Sequence, residues 1–266
     1  MLRTLPGLFL LLSVIGGRIA AQAPPAARSE LAPSGTLRVG INYNNRVLAT
    51  RDPAGGDSRG VAVDLAREIG RRLAVPVELV PYTAAGRMAD GAKAGEWDIA
   101  FLADDPGRAA DITFTVPYLE IDMTYLVPPG SAIRTIEEVD RAGVRIAAVA
   151  QSAYEMFLTR SLKQAQVVRV AANQAADAAL ASGAVEALSG LRDRLLTVAE
   201  GLPGSRVLDG RFTVARQAIG MPKGRDTAAA YLNAFVEEAK ASGLVARAIG
   251  ESGARGVSVA PPRGKP

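Results

Sequence analysis

The chain contains neither cysteine nor histidine. Without cysteine there is no disulfide framework, and an exported chain of 266 residues can fold without one. Without either residue the usual zinc and copper ligands are missing, so no transition-metal site or other cofactor is expected. The same absence excludes a Ser-His-Asp or Cys-His nucleophile pair built from this chain alone. Aromatic residues make up 5% of the chain, and no lysine/arginine cluster carries interleaved aromatics, so nucleic-acid binding has no support. Charge of one sign is scarce as well. The net charge is +4, and loss of Arg3 and Arg18 with a leader would leave +2. The pI of 9.6 therefore reflects a slight excess of base and not a basic face.

What is present begins with a leader-like start. Arg3 supplies a short positive end, Leu5 to Ile15 is an apolar core, and small residues follow at Ala20, Ala21 and Ala23. That core is shorter than the roughly 20 residues needed to span a bilayer. Residues 1–23 are expected to be a signal peptide directing the protein to the periplasm, and no cysteine near the cleavage region offers a lipid attachment point.

The rest alternates between strand and helix signals. Gly35–Ile41 reads as a strand, Val61–Leu73 as a helix with Val61, Leu65, Ile69 and Leu73 on one face, and Val75–Tyr82 as a strand. A weaker helix over Ala84–Ala94 leads to a buried strand at Ile99–Leu102. This order predicts right-handed crossovers and a largely parallel sheet. The grammar then starts again. Thr135 and Glu138 read as a helix-opening capping box. Val144–Val149 reads as a buried strand, and a helix runs from Ser152 to about Gln164. Strand Val167–Val170, an Asn173-capped helix and Glu186-Ala187-Leu188 follow. Phe212–Ile219 reads as a return strand, Asp226–Ser242 as a helix and Pro261–Pro266 as a frayed tail.

The most informative stretch is Trp97–Tyr118. Its strand breaks at Asp104-Asp105-Pro106-Gly107, and Arg108 follows at once. Open α/β sheets bind ligands just beyond the carboxyl ends of their strands. An arginine there can grip a planar carboxylate with two prongs. Gln151-Ser152-Ala153 is the second such place, because a helix starts there directly after a strand and its free amides can face an anion.

These pieces together resemble a known family. Leu37-Arg38-Val39-Gly40, then Gly60 with Asp64-Leu65-Ala66, then Gly95-Glu96-Trp97-Asp98, then Asp105-Pro106-Gly107-Arg108, then Phe114-Thr115-Val116-Pro117-Tyr118 occur in the order seen in the extracellular solute-binding proteins, family 3, of polar-amino-acid ABC transporters. The resemblance implies an α/β periplasmic binding protein type II fold of two lobes. Residues 34–118 and 217–253 would form the first lobe and 125–209 the second. The hinge segments would be 119–124 and 210–216, and 254–266 a tail.

The resemblance also implies the site. Arg108 would clamp a carboxylate from one lobe, with Ala103, Asp104 and Asp105 around it, and Asn42 and Tyr43 would face the same cleft. Gln151, Ser152 and Ala153 would approach from the other lobe. The sequence departs from the family at four points. Asn42 stands where the family is often acidic, the Pro-Pro-Phe run that commonly follows is missing, Asp105 replaces a threonine, and the aspartate that holds a ligand's α-ammonium would fall near Gly190 or Leu191, where no acid exists. Either Asp104, Asp105 or Glu186 substitutes, or the ligand is a carboxylate without an α-amine. The implied function is a non-enzymatic, monomeric periplasmic receptor that delivers a small carboxylate-bearing solute to an ABC permease. A cyclohexadienyl-dehydratase-like lyase on the same scaffold, or an accessory or sensory binding protein, are the alternatives. The lyase would draw its acid or base from Glu186, Asp104 or Asp105.

Overall fold

In the computed structural model, which describes residues 23–52 and 57–263, strands and helices alternate around one twisted mixed sheet. The elements in order are α1 (Pro25–Leu31), β1 (Leu37–Asn42), α2 (Val61–Leu73), β2 (Val77–Tyr82), α3 (Ala85–Ala94) and β3 (Ile99–Ala103). A single 3-10 turn, Pro106–Arg108, precedes β4 (Ile112–Phe114) and β5 (Leu119–Val127). Then come β6 (Arg145–Val149), α4 (Ala153–Ser161), β7 (Gln166–Val170), α5 (Asn173–Ala181), β8 (Ala187–Leu191) and α6 (Arg192–Glu200). The chain finishes with β9 (Arg206–Val207), β10 (Thr213–Pro222), α7 (Asp226–Ala241), α8 (Leu244–Ser252) and β11 (Val257–Val259). The expected signal peptide lies almost wholly outside the described residues. Among the described residues, no helix is long and apolar enough to cross a membrane.

The sheet order is β2-β1-β3-β10-β5-β8-β6-β7. Parallel pairing holds within β2-β1-β3 and within β8-β6-β7, as strand–helix–strand units require. The two parallel halves are joined by antiparallel β10 and β5, paired from Thr213 opposite Met123 to Gln217 opposite Leu119. Both segments expected to act as hinges thus run largely in extended, hydrogen-bonded ribbon. The apolar side chains segregate accordingly. One large cluster centres on β1, α2, β3 and α7, and two smaller ones lie around β6 and β8. Helix α2 owes its place to the predicted stripe: Val61, Leu65, Ile69 and Leu73 are all buried. Gly70 lets it sit down on β2, since a Cβ there would lie 2.3 Å from the Val77 side chain.

Each half opens with the same device. The first residue after Leu37 is Arg38, whose backbone amide, Nε and Nη2 all donate to the Asp98 carboxylate, while Nη1 reaches the Gly95 carbonyl. In the second half, Arg145 donates its amide, Nε and Nη2 to the Glu186 carboxylate, and Nη2 also reaches the Gly183 carbonyl. Gly95-x-x-Asp98 and Gly183-x-x-Glu186 are therefore one motif used twice, each acid pinning the strand that follows it to the first strand of its half.

Two local expectations are corrected. Thr135 and Glu138 do not open a helix. The chain makes only a single 3-10 turn, Glu137–Val139, and Glu138 folds back to accept from the Arg134 amide. Asn173 is the first residue of α5 and not its cap, for which Ala172 supplies no side chain. Within the segment 254–266, β11 pairs with β5, and Ala260 is buried with its amide donating to the Tyr118 carbonyl.

Candidate functional site

A cavity of about 390 Å³ lies at the carboxyl ends of the parallel strands and is lined from both halves of the sheet. The first half contributes Asn42 to Leu48 after β1, Thr83 to Ala85 and Met88 at the start of α3, Phe101 to Ala103 from β3, and Arg108. The second contributes Val149, Ser152, Ala153 and Tyr154, then Asn173, Gln174 and Asp177 of α5, and Leu191, Asp193 and Arg194 at the start of α6. Ala215 and Gln217 reach in from the return strand β10.

Arg108 is the most unusual of these groups. The Asp105 carboxylate accepts from the Gly107 amide at 2.8 Å, and Pro106 starts the tight turn, so the chain doubles back beneath the end of β3. Arg108 is thereby swung inward and left only 6% exposed. Its Nη1 donates to the Ala103 carbonyl at 2.9 Å and its Nη2 to the Gln151 carbonyl at 3.0 Å. Among the described residues it forms no ion pair. Burial pushes its pKa down to about 10, against the raising influence of Asp105 and Asp104 nearby. A buried cation contacted only by neutral carbonyls is the expected complement of an anion that arrives from outside.

Several expected contributors stand elsewhere. Asp104 is bound by Arg216, Nε to Oδ1 at 3.1 Å, and burial raises its pKa. Asp105 is held by Arg160 of α4, with Nη2 to Oδ2 at 2.8 Å, in addition to capping its own turn. Glu186 is the second strand clasp, and the Arg145 hydrogen bonds hold its pKa below the ordinary carboxylate range. None of the three lines the cavity, because each is already satisfied by an arginine at the surface of the fold. Gln151 does not line it either. It takes a left-handed backbone (φ 59°) that turns its carbonyl to Arg108, and its side chain lies against Gly86 of α3.

Asn42, Tyr43, Ala103, Ser152 and Ala153 do line the cavity with Arg108. Ser152 caps α4, its Oγ accepting from the Glu155 amide, while the Glu155 carboxylate accepts from the Gln151 amide. The Ser152 amide is itself engaged by the Val149 carbonyl at 3.2 Å. Tyr43 donates to or accepts from Ser58 and lies under the Arg51 guanidinium. Tyr154 of α4 also lines the cavity and is 8% exposed. Trp97 is core, with Nε1 donating to the Met88 carbonyl.

Sequence reasoning missed the polar groups of the far wall. Asp177 is paired with Arg194. Asp193, two residues beyond Leu191, forms no ion pair among the described residues, and its carboxylate accepts from the Arg255 backbone amide at 2.9 Å. Gln217 was missed too, although a glutamine inside the apolar run Ala215–Ile219 is itself a signal.

The model of the bacterial extracellular solute-binding proteins, family 3, matches residues 37–250. The chain belongs to this family. It is 23% identical over 209 residues to the ABC transporter glutamine-binding protein GlnH of Bacillus subtilis (strain 168), covering 77% of this chain and 76% of that one. It is also 27% identical over 160 residues to the membrane-bound lytic murein transglycosylase F of Shewanella sp. (strain W3-18-1), across 58% of this chain. It spans only about a third of that enzyme's length, 32%. Among solved structures, the ancestral amino acid-binding protein AncCDT-1, a precursor of cyclohexadienyl dehydratase, superposes with a TM-score of 0.70 at 23% identity, covering 84% of this chain and 97% of that one. The fold of this family 3 member is accordingly the type II periplasmic binding protein fold.

Proposed function

We propose that the protein is a periplasmic receptor of an ABC importer that captures a small carboxylate-bearing solute, an amino acid or organic acid, between two lobes that close on it. The single observation that carries this reading is Arg108, a buried guanidinium without an acidic partner, at the wall of a cavity large enough for such a solute. The two lobes correspond to the parallel halves of the sheet, with β5 and β10 as the joining ribbon. Arg108, Ala103, Asn42 and Tyr43 serve from the first, and Ser152 and Ala153 from the second. Amino-acid recognition is favoured by the likeness to the glutamine-binding protein GlnH and the amino acid-binding protein AncCDT-1. It is also favoured by Asp193, a carboxylate on the opposite wall that could take a cationic group of the solute.

Closure is favoured by contacts that already bridge the halves. Arg108 reaches the Gln151 carbonyl, and Arg160 of α4 pairs with Asp105 at the end of β3. A solute that touches both walls stabilises the arrangement in which both are present. The lyase alternative loses its three candidate acids, since Asp104, Asp105 and Glu186 are each bound by an arginine outside the cavity. The test is a thermal-shift screen of the mature protein against amino acids and organic acids. Saturation at a hundred times the dissociation constant adds about 2.7 kcal/mol to the folded state, so a true solute raises the melting temperature visibly. A protein stabilised by neutral sugars and by no carboxylate would refute the reading.

A further inference from the structure

Helix α4 touches the first half of the sheet at a second place, outside the cavity. Its cap, Ser152, lines the cavity, and Met156 and Arg160 follow at i+4 spacing on the same face. Arg160 thus stands roughly 12 Å along the helix from Ser152. There it meets the turn between β3 and Arg108. Arg160 Nη1 donates to Asp105 Oδ1 at 3.2 Å and Nη2 to Oδ2 at 2.8 Å, a two-pronged pair between the two halves. Met156 covers the turn itself, since a Cβ at Gly107 would lie 3.4 Å from its Sδ. Asp105, Met156 and Arg160 are not among the residues that line the cavity.

Two features set this contact apart from an ordinary surface ion pair. The Asp105 side chain is only 8% exposed, so its charge is poorly screened, although Arg160 itself is 48% exposed. The same carboxylate also accepts from the Gly107 amide, and Gly107 immediately precedes Arg108. Arg160 therefore acts on the turn whose shape swings Arg108 inward. Arg108 in its turn reaches back to the Gln151 carbonyl, one residue before the α4 cap. The contacts close a ring that runs from α4 through Arg160, Asp105 and Arg108 to Gln151 and so to α4 again. Arg160 with Asp105 is the link in that ring made by opposite charges.

Resting on the closing-lobe reading above, we propose that Arg160 is a positioning residue. It acts through Asp105 to hold the Arg108 turn against the second half before a solute arrives. Part of the closed arrangement is thereby prepared in the empty protein, and a solute has less ordering left to do.

The experiment measures the distance between the halves in the solute-free mature protein by pulsed electron–electron resonance. The chain has no cysteine of its own, so spin labels go to Asp90→Cys on α3 and Gln164→Cys beyond α4, both exposed. Arg160→Ala in this background should raise the ratio of long to short distances about fivefold, the equivalent of ~1 kcal/mol. Arg160→Glu, which sets like charges face to face, should raise it further, and Arg160→Lys should fall between the parent and Arg160→Ala. About 1 M sodium chloride should raise the ratio in the parent and leave Arg160→Ala unchanged, because salt screens only a charge pair. A ratio unchanged in Arg160→Ala but raised in Arg160→Glu would overturn the positioning role and leave the closing lobes intact. One fixed distance in all four proteins would overturn both. Each variant should melt within a few degrees of the parent, and a fall of many degrees in Arg160→Ala would mark the pair as part of the fold and overturn the proposal.

Discussion

The first half of the sheet fixes its opening strand with an acid that solvent does not reach, and the second half repeats the device nearer the surface. The Asp98 side chain is 0% exposed, and Arg225 adds a second cation 3.7 Å away, whereas the Glu186 side chain is 37% exposed and has Arg145 alone. The hydrogen-bond geometry of the two clasps is otherwise nearly the same. The difference teaches that an acid's neighbours in sequence do not reveal its role. Gly95-x-x-Asp98 reads as a mark of the fold, while Glu186 in the equivalent setting looks like a candidate for the ligand site, and both turn out to do the same structural job.

Asp98→Ala should break the comparison most visibly. It leaves Arg38 and Arg225 facing a buried void without their counter-ion, a change that costs about 3–5 kcal/mol when one partner of a buried pair is removed. At roughly 2–4 °C per kcal/mol for a chain of this size, the melting temperature should fall by roughly 10 °C. Differential scanning calorimetry reads this directly, and a shift no larger than that of Glu186→Ala would show that burial does not distinguish the two clasps.

Contacts between the halves come next. A methyl group at Gly86 would lie 2.6 Å from Gln151 Cβ and 2.2 Å from its Oε1. Alanine is the better helix former, so α3 itself does not suffer. Gly86→Ala should therefore keep or raise the melting temperature of the empty protein and weaken solute binding about tenfold, the equivalent of ~1.4 kcal/mol. Normal affinity in this variant would mean that the halves do not need to meet at this point.

The walls of the cavity differ in charge, and pH separates them. Burial depresses the Arg108 pKa to about 10, so the folded state disfavours the charged form more than the unfolded chain does. As pH rises through that value, the empty protein sheds an unfavourable term while a carboxylate solute loses its cationic partner. Affinity for a hydroxy acid, which has no amine to titrate, should decline above about pH 10 in isothermal titration. Asp193→Asn should affect only solutes that carry a cation, and competition between an amino acid and its hydroxy analogue reads that selectivity.

Glu186→Ala is expected to do least. Exposed pairs contribute at most about 1 kcal/mol, so the melting temperature should drop by no more than ~4 °C at neutral pH. Because the folded-state pKa is lowered, the contribution of Glu186 is present above its ordinary carboxylate range. It is lost as pH falls through the folded value, and the gap between variant and wild type should close in acid.

Much of this was legible in the residues. The i+4 stripe of α2, the buried run Ile99–Leu102 and the turn that delivers Arg108 are local patterns, and local patterns survive folding. Asp104 and Asp105 misled because their arginines, Arg216 and Arg160, lie 112 and 55 residues away in sequence. Gln217 and Asp193 stayed hidden for the converse reason: the sheet register and the α6 start, not their neighbours, bring them to the cavity. Val257–Val259 is too short to announce itself as a strand, and it forms one because β5 offers a free edge.

The most direct test of the carboxylate clamp is titration of Arg108→Met with the acid that most stabilises the wild type. Affinity should fall at least a hundredfold, while the empty variant melts within a few degrees of wild type, because the substitution removes a desolvated charge together with the two hydrogen bonds it makes. Wild-type affinity in Arg108→Met would show that the buried guanidinium is structural and that the solute's negative end is held elsewhere.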